Sequence, residues 1–297
     1  MSIGYVGLGS MGGALARRLQ LTHPLQVYDL DPQAVARMAA AGATPCASLP
    51  ELAGRCDILF LCLPKSDHVR AAIFGPDGLA GALRPGTLLV DQTTGDPKAT
   101  REMAQALARQ GVALIDAPVS GGAAGAQAGT IAIMLGAGEA ERARIAPVLA
   151  AISPHVFHAG DVGAGQAMKL VNNLVSGAQR LLSLEGMTLA AKNGVEPARA
   201  LEILAAGGAR NAFFDKQAAP ILQGQLEAGF TLGLMAKDMR LACDLGADSG
   251  VPVLFASLAH EVYKLCISQM GADAQVPTAA VVMDRLAGTQ VVASARK

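Results

Sequence analysis

Apolar residues in the first half of the chain fall into short runs, separated by longer stretches in which small and apolar residues recur at helical spacing. Residues 3–6, 25–28, 57–63, 87–90, 112–115, 131–135 and 155–158 read as strands. Helix starts lie between them. Asp31 precedes Pro32 as a cap before a first-turn proline. Ser48-Leu49-Pro50-Glu51 has capping-box spacing, and 97–109 reads as a further helix. Strands alternating with helices of this length imply βαβ units and a mostly parallel sheet. The pattern changes after Gly160-Asp161-Val162-Gly163. Residues 166–193 are a long run of helix formers stopped by Asn193-Gly194, Glu196-Pro197 opens another helix, and helical patterning continues to about residue 286. The expected architecture is therefore α/β followed by all-α, with a first domain over 1–162, a second over 163–297, and a frayed tail at 294–297.

The most informative local feature is Gly7-Leu8-Gly9-Ser10-Met11-Gly12, placed between the strand Ile3-Gly4-Tyr5-Val6 and an Ala/Leu-rich helix. In such a corner Gly7 permits the tight turn, Gly9 lets the backbone approach a pyrophosphate, and Gly12 lets helix and strand pack closely. The N–H groups at the helix start, Ser10 and Met11 among them, face the phosphates. Asp29 closes the second strand at the distance expected of a ribose-binding carboxylate. This is the signature of a doubly wound, Rossmann-type dinucleotide-binding domain. Asp29, with Asp31 nearby and no basic residue in Leu30-Asp31-Pro32-Gln33, points to NAD in preference to NADP.

Composition narrows the class. The chain has 297 residues and formal net charge +0, with 16% charged and 3% aromatic residues. It has no basic block to bind nucleic acid or an anionic membrane, and little aromatic surface on which bases could stack. The cysteines Cys46, Cys56, Cys62, Cys243 and Cys266 form no CxxC pair and read as small buried hydrophobes of a reducing compartment. His155 and His158 lack the cysteine or carboxylate companions of a metal site, so none is expected. The run ending at Pro64 is too short to span a membrane, and no leader pattern precedes the glycine turn, so a cytoplasmic location is expected. High apolar content with few charges suggests surface hidden in an oligomer.

Past the domain junction, Gly163-Ala164-Gly165-Gln166-Ala167-Met168-Lys169-Leu170-Val171-Asn172-Asn173 sets Lys169 and Asn173 four apart on one helical face. Spacing alone leaves two readings: a lysine and an amide facing a nicotinamide, or a snorkelling surface lysine beside a solvated Asn173. Ser120-Gly121-Gly122 offers a hydroxyl and backbone N–H groups to a carboxylate, or is simply a flexible connection.

These segments together resemble the β-hydroxyacid dehydrogenase family, which includes 3-hydroxyisobutyrate dehydrogenases and tartronate semialdehyde reductases. Four motifs match in order: Gly7 to Gly12, Asp116-Ala117-Pro118-Val119-Ser120-Gly121-Gly122, Gly163 to Asn173, and Lys237-Asp238. Leu63-Pro64 and Asp91-Gln92-Thr93-Thr94-Gly95-Asp96-Pro97 match as well, with Thr93 where the family usually has serine, a change that keeps the hydroxyl. The resemblance implies hydride exchange between NAD and a small β-hydroxy acid or its semialdehyde. Lys169 would be the general acid/base and Asn173 its partner at the substrate oxygen. Ser120, Gly121 and Gly122 would hold a substrate carboxylate, and Leu63, Pro64, Thr94 and Lys237 would lie at the cofactor. An ordinary lysine is too basic for this role near neutrality, so burial or neighbouring cations would have to lower its pKa. The resemblance also implies a homodimer or homotetramer. Selectivity is expected from the helical domain, around Asn211-Ala212-Phe213-Phe214 and Phe230. The alternatives are an imine reductase on the same architecture, in which the lysine position commonly differs, and a non-catalytic dinucleotide-sensing module, which would have lost the proton carrier.

Overall fold

The computed structural model describes residues 1–293, and the frayed tail expected at 294–297 lies outside the described residues. Its contacts divide the chain into two units, Met1–Lys169 and Leu170–Lys297.

The first unit is built on one sheet with strands β1 (Ile3–Val6), β2 (Leu25–Tyr28), β3 (Thr44–Pro45), β4 (Ile58–Leu61), β5 (Leu88–Asp91), β6 (Ala113–Asp116), β7 (Val119–Ser120), β8 (Ala132–Gly136) and β9 (Val156–Gly160). Their order is β3-β2-β1-β4-β5-β6-β8-β7, with β9 beside β8. The pairings from β3 through β6 are parallel, whereas β8 runs antiparallel to β6 and β7 and parallel to β9. Successive side chains of a strand face opposite sides, so a sheet covered on both faces needs apolar residues throughout. The central strands meet that demand. Ile58, Phe60, Leu88, Val90 and Ile115 join one core, while Leu59, Leu61, Leu89 and Leu114 join the other. The rings of Tyr5 and Phe60 stack on the first side, 5.6 Å apart.

Local signals set the helix starts. The Asp31 carboxylate accepts the Gln33 N–H and Asp96 accepts that of Lys98, each with proline in the first turn. At the third helix Ser48 accepts the Glu51 N–H, while the Glu51 carboxylate reaches the N–H of Ala47 rather than that of Ser48. β3 and β7 escaped the sequence reading because each is only two residues long, and Thr44–Pro45 is exposed.

The second unit is helical: Pro197–Ala206, Ala212–Lys216, Ala218–Leu222, Leu232–Ser249, Leu254–Met270 and Ala279–Ala287, with most of Ala164–Lys192. Its core includes Leu184, Met187, Leu232, Met239, Tyr263 and Val282. The division between the units runs inside the helix Ala164–Lys192, not at the 162/163 step expected from the sequence. That helix's first turn is hydrogen-bonded to β6 of the first unit. Among the described residues no helix is long and apolar enough to cross a membrane.

Candidate active site

In a doubly wound sheet, ligands bind beyond the carboxyl ends of the strands, where the strand order reverses. Here the order reverses at β1, which has β2 on one side and β4 on the other. The register sets Tyr28, Val6, Leu61, Asp91 and Asp116 in a row at that edge. The segments leaving it are the ones singled out from the sequence: Gly7 to Gly12, Asp29, Leu63-Pro64, Thr93-Thr94 and the stretch to Ser120.

The glycines of the first turn serve different ends. Gly7 has φ +89°, and a Cβ there would lie 2.3 Å from the Cys62 carbonyl oxygen. A Cβ on Gly12 would lie 2.0 Å from the Gly7 carbonyl oxygen. Both glycines are therefore demanded by the turn itself. Gly9 differs: its φ is −62°, and a Cβ would meet nothing within 4 Å. The chain's own packing does not require glycine there, so the bare backbone keeps the space over the helix start clear. Among the described residues no side chain caps that helix, Ser10–Gln20, leaving its N–H end and positive dipole for an anion. Asp29 lies at the end of β2, half-buried, and accepts the N–H groups of Leu8 at 2.5 Å and Asp31 at 2.8 Å. A carboxylate has about four lone-pair sites, so capacity remains for ribose hydroxyls. An anion-accepting helix end, a cleared backbone and a carboxylate one strand away fit a dinucleotide. Gly7, Gly9, Ser10, Met11, Gly12 and Asp29 are the residues that would hold it.

The neighbouring loops are braced from beneath. The Thr93 hydroxyl accepts the Leu63 N–H at 3.0 Å, and Asp91 accepts the Thr93 N–H at 3.0 Å. The hydroxyl retained by the serine-to-threonine difference thus ties the Leu63-Pro64 turn to the segment carrying Thr94. Ser120 ends β7, half-buried, and Gly121 and Gly122 after it are exposed with φ of +138° and +71°. These left-handed backbones favour glycine.

Asp116, at the end of β6, is fully buried. One carboxylate oxygen accepts the Gly163 N–H at 2.6 Å and the other accepts the Gln166 N–H at 2.7 Å. Burial pushes its carboxyl up to about 6, and the two N–H donors oppose that rise. The fit is close. A Cβ on Gly136 would lie 2.5 Å from Asp116, and one on Gly165 would lie 2.3 Å from the Met134 carbonyl oxygen. Gly165→Ala is expected to lower stability by about 1–3 kcal/mol, the usual scale of overpacking. Thermal unfolding would register this as a fall of several degrees, and an unchanged midpoint would refute the close approach. Lys169 follows on the same helix and is only 8% exposed, so a freely solvated surface lysine is not what the sequence encodes.

In the second unit, Asp238 is 1% exposed and receives two of the expected residues. The Asn173 amide donates to one carboxylate oxygen at 2.6 Å, and the Lys237 ammonium lies 2.9 Å from the other. Asn173 and Lys237 are thus brought together by Asp238, the second residue of the Lys237-Asp238 motif. Its signal was its place directly after Lys237. The selectivity expectation named Phe213 and Phe214. Both are buried in this unit's core, their rings edge to face, and Asn211 caps their helix by accepting their N–H groups. Phe230 also packs against that core. Among the described residues no group of histidine, cysteine and carboxylate side chains could hold a metal ion.

Comparison with known proteins fits this geometry. Residues 2–160 match the family described as the NAD binding domain of 6-phosphogluconate dehydrogenase. Residues 163–283 match that described as NAD-binding of NADP-dependent 3-hydroxyisobutyrate dehydrogenase. The chain is 38% identical to 2-(hydroxymethyl)glutarate dehydrogenase of Eubacterium barkeri, over 89% of this chain and 88% of that protein. It is 37% identical to 3-hydroxyisobutyrate dehydrogenase of Pseudomonas aeruginosa, over 81% of this chain and 83% of that one. Among solved structures, 3-hydroxyisobutyrate dehydrogenase of Mycobacterium tuberculosis with L-serine superposes with a TM-score of 0.84 at 30% identity, covering 95% of this chain and 98% of that chain. The chain belongs to the β-hydroxyacid dehydrogenases related to 3-hydroxyisobutyrate dehydrogenase, and is an NAD-dependent oxidoreductase acting on hydroxyl groups.

Proposed function

We propose that this enzyme interconverts a small β-hydroxy acid and its semialdehyde, with Lys169 as the proton carrier. The burial of Lys169, on a helix whose first turn is fastened to the end of β6 at the same edge of the sheet as the dinucleotide corner, is the observation that carries this reading. Bound dinucleotide supplies the hydride acceptor or donor. The chain must then manage a proton and an orientation. In oxidation the substrate hydroxyl gives its proton to the Lys169 amine. In reduction the Lys169 ammonium returns a proton to the carbonyl oxygen. Asn173, one turn further along the helix, is neutral and can hold that same oxygen without competing for the proton. Asp238 fixes the Asn173 amide in one orientation and carries the Lys237 charge beside it. Lys237, Leu63, Pro64 and Thr94 line the cofactor in this reading. Ser120 and the exposed backbone of Gly121 and Gly122 receive the substrate carboxylate. The enzyme assembles as a homodimer or homotetramer, in keeping with Leu182 and Leu189, which stand exposed one heptad apart on the long helix.

The test is a panel of 3-hydroxyisobutyrate, 2-(hydroxymethyl)glutarate, L-threonate and L-serine with NAD, followed by absorbance of the reduced cofactor. At least one acid should turn over, and its methyl ester should fall about ten-fold or more in kcat/KM, the scale of losing a hydrogen bond to a charged group. Ser120→Ala should raise KM for the acid by a similar factor and leave that for NAD nearly unchanged. An ester as good as its acid would overturn the carboxylate anchor.

A further inference from the structure

Gln166 is fully buried, and its side-chain amide makes two hydrogen bonds to one loop. Its Nε2 donates to the Thr93 carbonyl oxygen at 2.7 Å, and its Oε1 accepts the Gly95 N–H at 2.9 Å. The two partners flank Thr94, so the amide grips that residue's backbone from both sides. Gln166 is also held from the other direction, since its own N–H donates to Asp116 at 2.7 Å. The space around the grip is closed: a Cβ on Gly95 would lie 3.8 Å from Nε2 of Gln166 and 2.4 Å from the Ser66 hydroxyl, and Ser66 in turn accepts the Asp96 N–H at 2.9 Å. Three residues beyond Gln166, on the same helical face, stands Lys169.

We infer that Gln166 is a positioning residue that fixes the Thr94 segment and the start of the Lys169 helix in one register. It touches neither hydride nor proton. Its side chain binds the two backbone groups around the cofactor-side threonine, and its main chain belongs to the helix that carries the proton carrier. A displacement of either element is therefore transmitted to the other. Satisfied buried amides make poor hinges, because an unmade hydrogen bond there leaves a desolvated group. Misplacement by about 1 Å can lower a rate by about 10²-fold. The inference rests on the proposed function for both arms, the catalytic arm on the role of Lys169 and the binding arm on the place of Thr94 at the cofactor.

The deciding variant is Gln166→Met, which keeps the length and removes both hydrogen bonds. Gln166→Glu, which keeps the acceptor for Gly95 and loses the donor to Thr93, serves if the first does not give a cooperative unfolding transition. Turnover is measured with whichever acid of the panel reacts fastest, and dinucleotide binding with NADH by fluorescence titration. The expected result is a kcat lowered about ten-fold or more and NADH affinity weakened several-fold. Placed on Lys169→Ala, the same change should alter kcat by no more than about two-fold, because residues acting as a unit are not additive. The loss of NADH affinity should persist there. Unchanged kcat and unchanged NADH affinity would overturn the inference, as would a kcat loss of equal size in both backgrounds, the mark of a merely structural role. If Lys169→Ala itself kept the parent's kcat, the proton-carrier reading would fail. The grip on Thr94 would then be decided by NADH affinity alone.

Discussion

Lys169→Ala is expected to lower kcat at least about 10²-fold, the scale on which a positioned general acid/base contributes, while NADH affinity stays near that of the parent. The separation follows from where the side chain sits. The dinucleotide corner is built from Gly7 to Gly12 and Asp29 on β1 and β2, whereas Lys169 belongs to the helix seated on β6 through Asp116. Removing the ammonium leaves the glycine turn, Asp29 and the Thr93–Leu63 brace in place, so binding survives and chemistry fails. Truncating a buried side chain also loses packing, and a folding control is needed. Lys169→Met retains most of the volume without a proton to transfer and should be as slow as the alanine variant. Steady-state kcat, NADH titration and thermal unfolding on both variants decide the matter. A folded variant within a few-fold of the parent's kcat would remove Lys169 from the mechanism.

How far the sequence disclosed this arrangement depended on the range of each interaction. Asp31 before Pro32 and Ser48 before Glu51 act within one turn, so the helix starts were legible. The strands buried on both faces were legible because a buried parallel strand must be apolar at every position, as Ile58 to Leu61 is. The glycine turn was legible because a tight corner admits few residue types. What stayed hidden depends on residues remote in sequence. Gln166 is an ordinary helix former by composition, and its partners lie 71 and 73 residues away. Asp116 was visible only as the first residue of a motif, and nothing local says that its carboxylate would receive the start of a helix 47 and 50 residues later. Asp238 meets Asn173 across 65 residues. Phe213 and Phe214 illustrate the converse, a packing role that their sequence context does not display. A small helical unit with few aromatics needs their volume in its core.

The second large effect concerns cofactor choice: kcat/KM with NAD should exceed that with NADP by about 10- to 100-fold, corresponding to about 1.4–2.8 kcal/mol. Asp29 is fixed at the end of β2 by the N–H groups of Leu8 and Asp31, so its carboxylate cannot simply swing away from a ribose. With both ribose hydroxyls free it would accept hydrogen bonds from them. With a 2′-phosphate it loses one donor and faces a like charge, and such juxtaposition costs several kcal/mol when poorly solvated. A candidate compensating cation is Arg37, whose guanidinium lies 3.6 Å from the Asp31 carboxylate with both groups about half exposed. An exposed pair of this kind is worth about 0–1 kcal/mol, so Arg37 is cheaply released and can soften the discrimination without reversing it. Two measurements separate these contributions, both with one common acid as substrate. In the parent, the NAD to NADP ratio reports Asp29 and Arg37 together. In Arg37→Ala, the NADP value should fall further while the NAD value stays within about two-fold, as expected for a rim charge acting on one ligand. Equal use of the two cofactors, or a preference for NADP, would show that Asp29 is not the ribose-binding carboxylate. An unchanged ratio in Arg37→Ala would show that Asp29 alone sets the choice.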